Sequence, residues 1–239
     1  MATTRGLMLI ADIGGYTEYM STHRMSLAHA EVNTGRLLER VIDAVPGLEL
    51  IEIEGDAAFL YREVGVADPD DLVDEVVRSA AAMHRAFHVE REYVAKNLCP
   101  CSGCKEAANL TLKFVAHVGE VATQRIRDRL KLVGIEVILL HRLLKNTVPV
   151  REYVLLTEEL HAGGGTLPGP AQRIEPELEG FGRVRAYYVD VLGLGGVADP
   201  RPAPTWRGRL ARTAYAAGAG LPYMLGRRGR GRGAAVATG

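Results

Sequence analysis

Two aspartates, far apart in the chain, stand where a strand gives way to a turn. Asp12 closes the apolar run Leu9-Ile10-Ala11 and is followed by Ile13 and the pair Gly14-Gly15; Asp56 follows Gly55 in Glu52-Ile53-Glu54-Gly55-Asp56-Ala57. Carboxylate oxygens are hard ligands. Two that converge at one sheet edge can hold Mg²⁺ or Mn²⁺, leaving positions for phosphate oxygens and lowering the pKa of an attacking hydroxyl. Gly14 and Gly15 carry no side chain to bar a phosphate chain from the backbone. Taken singly, Gly-Asp is a common turn pair and Asp a common strand terminator. The combination at matching strand ends is what points to a metal.

The three cysteines form a second cluster, Cys99-x-Cys101-x-x-Cys104. Thiolates this close can share a borderline cation such as Zn²⁺, although a tetrahedral site needs a fourth ligand. His84 and His88, one helical turn apart, and His117 in the next strand are candidates for it. The alternative is a set of redox-labile or simply buried thiols. Clustered so tightly, they make no disulfide framework across a fold and suit a reducing compartment. His23, His29 and His141 read as packed or surface residues.

Several elements must position these groups. Gly6 to Ile13 reads as a buried strand, and Ser26 caps a helix with apolar positions Leu27, Ala30, Leu37, Val41 and Val45. Leu48 to Ile53 and Ala57 to Tyr61 form a β-hairpin around Gly55-Asp56. Pro69, Asp70, Asp71 and Asp74 open a long helix whose stripe is Leu72, Val76, Ala80, Met83 and Phe87. Leu110 to Gly119 and Val121 to Val133 make a second hairpin, Gly134 to Leu144 a helix, and Tyr153 to Leu156 and Val184 to Val191 the last strands. Gly163 to Pro170 reads as a loop. This order predicts an α+β, ferredoxin-like, mainly antiparallel sheet with helices packed on one face.

Lys and Arg total 29 in the 239 residues, as do Asp and Glu, which argues against bulk attraction to nucleic acid. The balance is uneven, because residues 201–239 hold eight Arg and no acid. The division expected is a domain over 5–191, with a Cys-rich insertion at 97–109, and a Gly/Pro/Arg-rich linker and tail over 192–239, partly disordered. In that tail Trp206, Leu210, Tyr215, Leu221, Tyr223 and Met224 mix with Arg207, Arg209 and Arg212, a pattern that suits a weak membrane-surface contact. Arg227 to Arg232 could instead touch RNA, and a solvated extension is the third account. The uncharged stretch Thr213 to Gly226 is 14 residues, short of the ~20 of a spanning helix. With no signal-peptide pattern at the N-terminus, the expected location is cytoplasmic. There is no P-loop, no Gly-x-Ser-x-Gly elbow and no His-Glu-x-x-His.

Ala11-Asp12-Ile13-Gly14-Gly15-Tyr16-Thr17 resembles the Asp-Ile-x-Gly-Phe/Tyr-Thr signature of class III adenylate/guanylate cyclases, and Gly55-Asp56-Ala57 resembles their Gly-Asp hairpin. Gly134-Ile135-Glu136-Val137-Ile138-Leu139-Leu140-His141-Arg142-Leu143 is similar to their Gly-x-x-Val-Asn-x-Ala-x-Arg-Leu helix. The chain also looks like a divergent bacterial group of cyclase-homology proteins with a His-Arg-Leu-Leu-Lys-Asn helix and a Cys cluster. The resemblance implies two divalent metals on Asp12, Asp56 and the Ile13 carbonyl, and a triphosphate-binding Arg142. It also implies a homodimer whose sites form between chains and a purine nucleoside triphosphate as partner. Ile138 stands where the family has its ribose-orienting Asn; Asn146, one turn beyond Arg142, is the candidate to replace it. Glu52 and Lys131 fall at the base-reading positions, with ATP against GTP left open. Arg183 and Arg185 are candidates for the family's triphosphate-binding Lys. Two functions follow, a divergent purine nucleotidyl cyclase or a catalytically inactive nucleotide-binding, sensor or dimerisation module of the same fold. A zinc-stabilised scaffold is a third.

Overall fold

The computed structural model describes residues 3–22, 27–65, 72–99, 101–127, 129–165, 167, 169–191 and 202–224. The expected starts of the first two long helices, Ser26 and Pro69 to Asp71, lie outside these, as do His23 and the arginines of 227–232.

β1 (Thr3–Gly14) is the central strand, paired antiparallel with β3 (Ala57–Glu63) on one side and β4 (Thr111–Ile126) on the other. β2 (Glu49–Glu54) completes the first hairpin on β3, and β5 (Arg129–Val133) folds back on β4. Beyond β4, β6 (Tyr153–Thr157) pairs parallel, and β10 (Ala186–Asp190) and β7 (Gln172–Ile174) follow antiparallel. The order is β2-β3-β1-β4-β6-β10-β7, with β8 (Glu177–Leu178) and β9 (Gly182–Arg183) as a separate small hairpin. The strands are as expected except that β4 continues past Gly119 to Ile126, so that its hairpin with β5 turns later, and that β7, β8 and β9 are too short to show a period.

β1 is buried on both faces. Leu7, Leu9, Ala11 and Ile13 face a core shared with α2 (Leu27–Asp43) and α3 (Leu72–Ala95), whose inward stripes are Leu37, Leu38 and Val41, and Val76, Ala80, Met83 and Phe87. Met8 and Ile10 face the other way, against Leu139, Leu140 and Leu143 of α5 (Ile135–Leu143). The α+β, mainly antiparallel architecture is thus as expected, with one refinement. α5 packs on the opposite face from α2 and α3, because the alternate residues of β1, β3 and β4 are apolar too.

Three short helices also appear. α1 (Tyr16–Thr22) follows β1 directly, α4 (Ser102–Glu106) and a 3₁₀ turn (Ala107–Asn109) lie in the Cys-rich insertion, and α6 (Glu158–Ala162) follows β6.

The tail corrects the expectation of a solvated extension. α7 (Trp206–Met224) docks on α2 and α3. Its anchor is Glu90 of α3, only 2% exposed. Arg212 grips both carboxylate oxygens, Nε to Oε1 at 2.6 Å and Nη2 to Oε2 at 2.8 Å, while Arg36 of α2 reaches Oε1 at 2.6 Å. A buried carboxylate demands such partners. Gly208 lets the helix lie on Tyr93, since a Cβ there would stand 2.4 Å from the ring. No helix is long and apolar enough to cross a membrane among the described residues.

Candidate functional site

The β1–β3 ladder pairs Asp12 with Ala57, so the β2–β3 turn that carries Asp56 folds against the end of β1. The Ile13 N–H donates to the Asp56 carbonyl at 3.1 Å, tying the two segments together. Burial, and then the nearby Asp12 charge, push the Asp56 carboxyl up to about 6, against the pull of its own backbone hydrogen bond and of Lys113. Asp56 therefore lies within the field of the Asp12 carboxylate.

Lys113 is the residue that sequence reading missed. It lies opposite Asp12 in the β1–β4 register, and its Nζ is 3.0 Å from Asp12 Oδ2. It is an outward position of an alternating strand, which reads as a solvated face; only the strand pairing reveals its partner. Burial opposes its charge, but Asp12 more than compensates and holds the amine above its ordinary value.

Lys113 also lines a cleft of about 580 Å³, together with Gly14, Gly15, Arg151, Tyr153 and Asn146. Gly15 adopts φ +83°, a left-handed turn that favours glycine, and a Cβ on Gly14 would lie 2.3 Å from Thr111 Oγ1. The second glycine is therefore demanded by the turn, and the first by a neighbouring strand.

Asn146 reaches this cleft with its amide largely engaged in the turn after α5, one Nδ2 hydrogen being left over. Its Nδ2 donates to the Leu143 carbonyl at 2.7 Å, and its Oδ1 accepts from Val148 N at 3.1 Å and from the Tyr153 hydroxyl at 3.0 Å. It lies past the end of α5 rather than on a helix face shared with Arg142.

Arg142 lines a different groove, of about 620 Å³, with Ile138, His141, Lys145 and Glu179. Its guanidinium is 3.7 Å from Glu179 Oε2 and 5.8 Å from the centre of the Phe181 ring. The Glu179 contact is made by Nη1, which is buried and too far from that oxygen for a hydrogen bond. Glu52 and Lys131, expected as a pair, do share a groove between β2 and β5, of about 750 Å³. Arg183 and Arg185 are not brought to any of these sites. Arg183 pairs with Glu177 in the β8–β9 register, not on the last strand, and Arg185 Nη1 is 2.9 Å from Glu158 Oε1.

The histidines divide. His88 and His84 place their Nε2 atoms 2.7 and 3.1 Å from the Glu152 carboxylate, which also accepts from Leu112 N at 3.0 Å. These bonds hold the Glu152 carboxyl well below its usual range, while burial holds His88 down to about 4. His117 spans Thr157 Oγ1 and Glu136 Oε2, at 2.8 and 2.7 Å. None of the three reaches the cysteines. The residue that does is His29 of α2, with Nδ1 3.9 Å from Cys101 Sγ and 3.8 Å from Cys104 Sγ.

The order of strands and helices around this sheet is that of a domain with the fold of class III nucleotidyl cyclases. The guanylate cyclase domain of RhGC from Catenaria anguillulae, solved with GTP, superposes with a TM-score of 0.57 at 17% identity, covering 79% of this chain and 98% of that one. A class III adenylyl cyclase-like ATP-binding protein from Pseudomonas aeruginosa superposes at 0.56 and 16% identity, covering 68% of this chain and 35% of that one. At these identities the likeness is one of fold.

The chain belongs to the family described as "Protein of unknown function (DUF2652)", whose model matches residues 34–153. It is also 36% identical over 193 residues to the uncharacterized protein Rv2561/Rv2562 of Mycobacterium tuberculosis (strain ATCC 25618 / H37Rv), covering 80% of this chain and 88% of that one.

Proposed function

We propose that this protein is a nucleoside-triphosphate-binding module of the cyclase fold that does not cyclise its ligand. The observation that carries the reading is the ion pair of Lys113 with Asp12, 3.0 Å apart, at the place where Asp56 also converges. Two carboxylates and one ammonium leave a net charge of about −1, which fits one hard divalent cation better than the expected two. Asp12, Asp56 and the Ile13 carbonyl would hold that ion. When bound, Mg²⁺ or Mn²⁺ supplies charge neutralisation for a polyphosphate. Lys113 supplies a second, fixed positive charge beside it.

Ile138 has no polar side-chain atom with which to orient a ribose hydroxyl, and Asn146 lies past the end of α5 with most of its amide held by the turn there. Proximity and orientation are worth many orders of magnitude in such a reaction, so binding without turnover follows. Arg142 lies in a separate groove of the same chain, where its guanidinium, about a third exposed and only loosely paired with Glu179, fits a phosphate brought by a second copy. Apolar side chains stand open on that flank, with Ile135 59%, Ile138 48%, Ile126 51% and Ile53 49% exposed. A homodimer that covers them would complete the site. Glu52 and Lys131 face a base there, Glu52 as acceptor and Lys131 as donor. The similarity in fold to an ATP-binding cyclase-like protein supports this reading. A lipid contact through the tail is not part of it, since Arg212 is held by Glu90 and Arg209 by the Lys96 carbonyl.

The test is calorimetric titration of the full chain with ATP and GTP in Mn²⁺, beside an assay for cyclic nucleotide and pyrophosphate. Saturable, metal-dependent binding without either product is the expected result. Product formation lost in Asp12→Ala would establish the cyclase instead, and absence of binding would reject both.

A further inference from the structure

The Cys-rich insertion leaves the end of α3 and returns as β4, and its thiols do not point away into solvent. Cys104 is fully buried and Cys99 and Cys101 are half-buried, and all are free thiols. Their sulfurs and a ring nitrogen of His29 all lie within 4.8 Å of one another. His29 comes from another element, 72 and 75 residues away from Cys101 and Cys104. Its Nδ1 stands 3.9 and 3.8 Å from their sulfurs. Zn–S bonds of ~2.3 Å and Zn–N bonds of ~2.0–2.1 Å make a tetrahedron with edges of about 3.5–3.8 Å. The two nitrogen–sulfur separations lie about 0.3 Å outside the N–S edge, near enough for small side-chain rotations to close the shell.

A second observation is independent of that spacing. Polar hydrogens are aimed at the sulfurs: Asn97 Nδ2 lies 3.2 Å from Cys104 Sγ, Asn33 Nδ2 3.8 Å from the same atom, and Cys104 N 3.4 Å from Cys101 Sγ. A buried thiol needs no such cage of donors, whereas a metal-bound thiolate does. Asn97 Oδ1 in turn accepts from Cys99 N at 2.7 Å, so one amide orients two of the cysteines.

We infer that Cys99, Cys101, Cys104 and His29 form a structural zinc site, with His29 Nδ1 as the fourth ligand and Asn97 and Asn33 as hydrogen-bond donors to its sulfurs. Four protein ligands close the coordination shell, as structural rather than catalytic zinc requires. Sulfur-rich tetrahedral donors select Zn²⁺ over the hard cations suited to the carboxylates of Asp12 and Asp56.

The ion would tie the insertion to α2. Glu106 and Asn109, just past Cys104, line the same cleft as Gly14 and Gly15, so the metal would fix one wall of it.

The test uses the full chain, purified without a histidine tag or chelator. Metal analysis is expected to find about one zinc per chain in the wild type. Zinc content should be lost in Cys104→Ser and kept in His29→Cys, which restores a fourth ligand of the right kind. Asn97→Ala should keep the stoichiometry while weakening affinity about 10–100-fold. Cobalt(II) exchanged into the wild type should show thiolate charge transfer and the strong visible bands of a tetrahedral ion, a readout that needs no variant to fold. Equal zinc in wild type and Cys104→Ser, weak octahedral cobalt bands, or a Cys101–Cys104 disulfide in zinc-free protein would each overturn the assignment. None of these measurements involves a nucleotide.

Discussion

Nζ of Lys113 and Oδ2 of Asp12 meet at 3.0 Å across the β1–β4 ladder, a strand pair that brings an ammonium to the carboxylate most suited to a metal. Removing the ammonium should release that carboxylate. In Lys113→Met we expect Mn²⁺ affinity of the nucleotide-free protein to rise about tenfold, the equivalent of ~1.4 kcal/mol. Triphosphate affinity should fall, because the fixed positive charge is gone. Manganese titration followed by electron paramagnetic resonance reads the first and calorimetry the second; an unchanged manganese affinity would refute the competition.

Asp56 weakens the fold in proportion to its ionisation. Its carboxyl is raised from 3.8 to about 6 by burial and then by Asp12. The folded state therefore holds a proton that the unfolded chain has released, and stability falls as pH rises through that window. Asp56→Asn should melt about 2–4 °C above wild type at pH 7 and level with it near pH 4, where both are uncharged. Thermal melts at the two pH values check this, and a variant less stable at pH 7 would contradict it. The same variant should lose divalent-cation binding.

Glu90 is buried among Arg36, Arg40 and Arg212, and cutting it to Ala strands the guanidiniums. The expected cost is about 3–5 kcal/mol. Arg212→Ala is the gentler probe, since Arg36 remains on the carboxylate. Hydrogen exchange should then show α7 losing protection while β1 and β4 keep theirs. Equal protection in both proteins would mean that α7 is held by something else.

Gly14 is excluded from bearing a side chain by Thr111 rather than by a ligand. Gly14→Ala puts a methyl 2.3 Å from Thr111 Oγ1, whereas Thr111 Cβ is 3.7 Å away. The single variant should lose about 1–3 kcal/mol, and Gly14→Ala with Thr111→Ala should recover most of it. A denaturant double-mutant cycle measures the coupling; additive losses would disprove it.

The periodic elements were legible from the chain itself. β1 announces itself as a continuous apolar run, β2 and the first half of β4 through alternation and the α3 stripe through threes-and-fours, because each buries residues against a common core, whereas the turn of the β4–β5 hairpin falls later than the expected Gly119–Val121, since β4 runs on to Ile126. Asp12 and Asp56 could be paired for the same reason, once the hairpin was placed beside β1. What escaped depends on contacts between distant segments. Lys113 looks like a solvated strand residue until its register with Asp12 is known, and His29 like an ordinary helix residue until the insertion packs on α2. α7 is an Ala-, Gly- and Arg-rich run whose partner, Glu90, is 122 residues from Arg212. Asn146 was misplaced because α5 ends at Leu143, before the helix face it was expected to share.

The clasp at Glu90 also decides from which side company can come. With α7 laid over α2 and α3, the back of the molecule is roofed by its own chain, and what it shows outward is the outer side of α7, with Trp206 and Tyr215. The front, where α5 and the first hairpin leave isoleucines bare, offers another molecule a sheet-and-helix face instead. A helix that touches neither the acids nor the cysteines therefore gives the domain a front and a back.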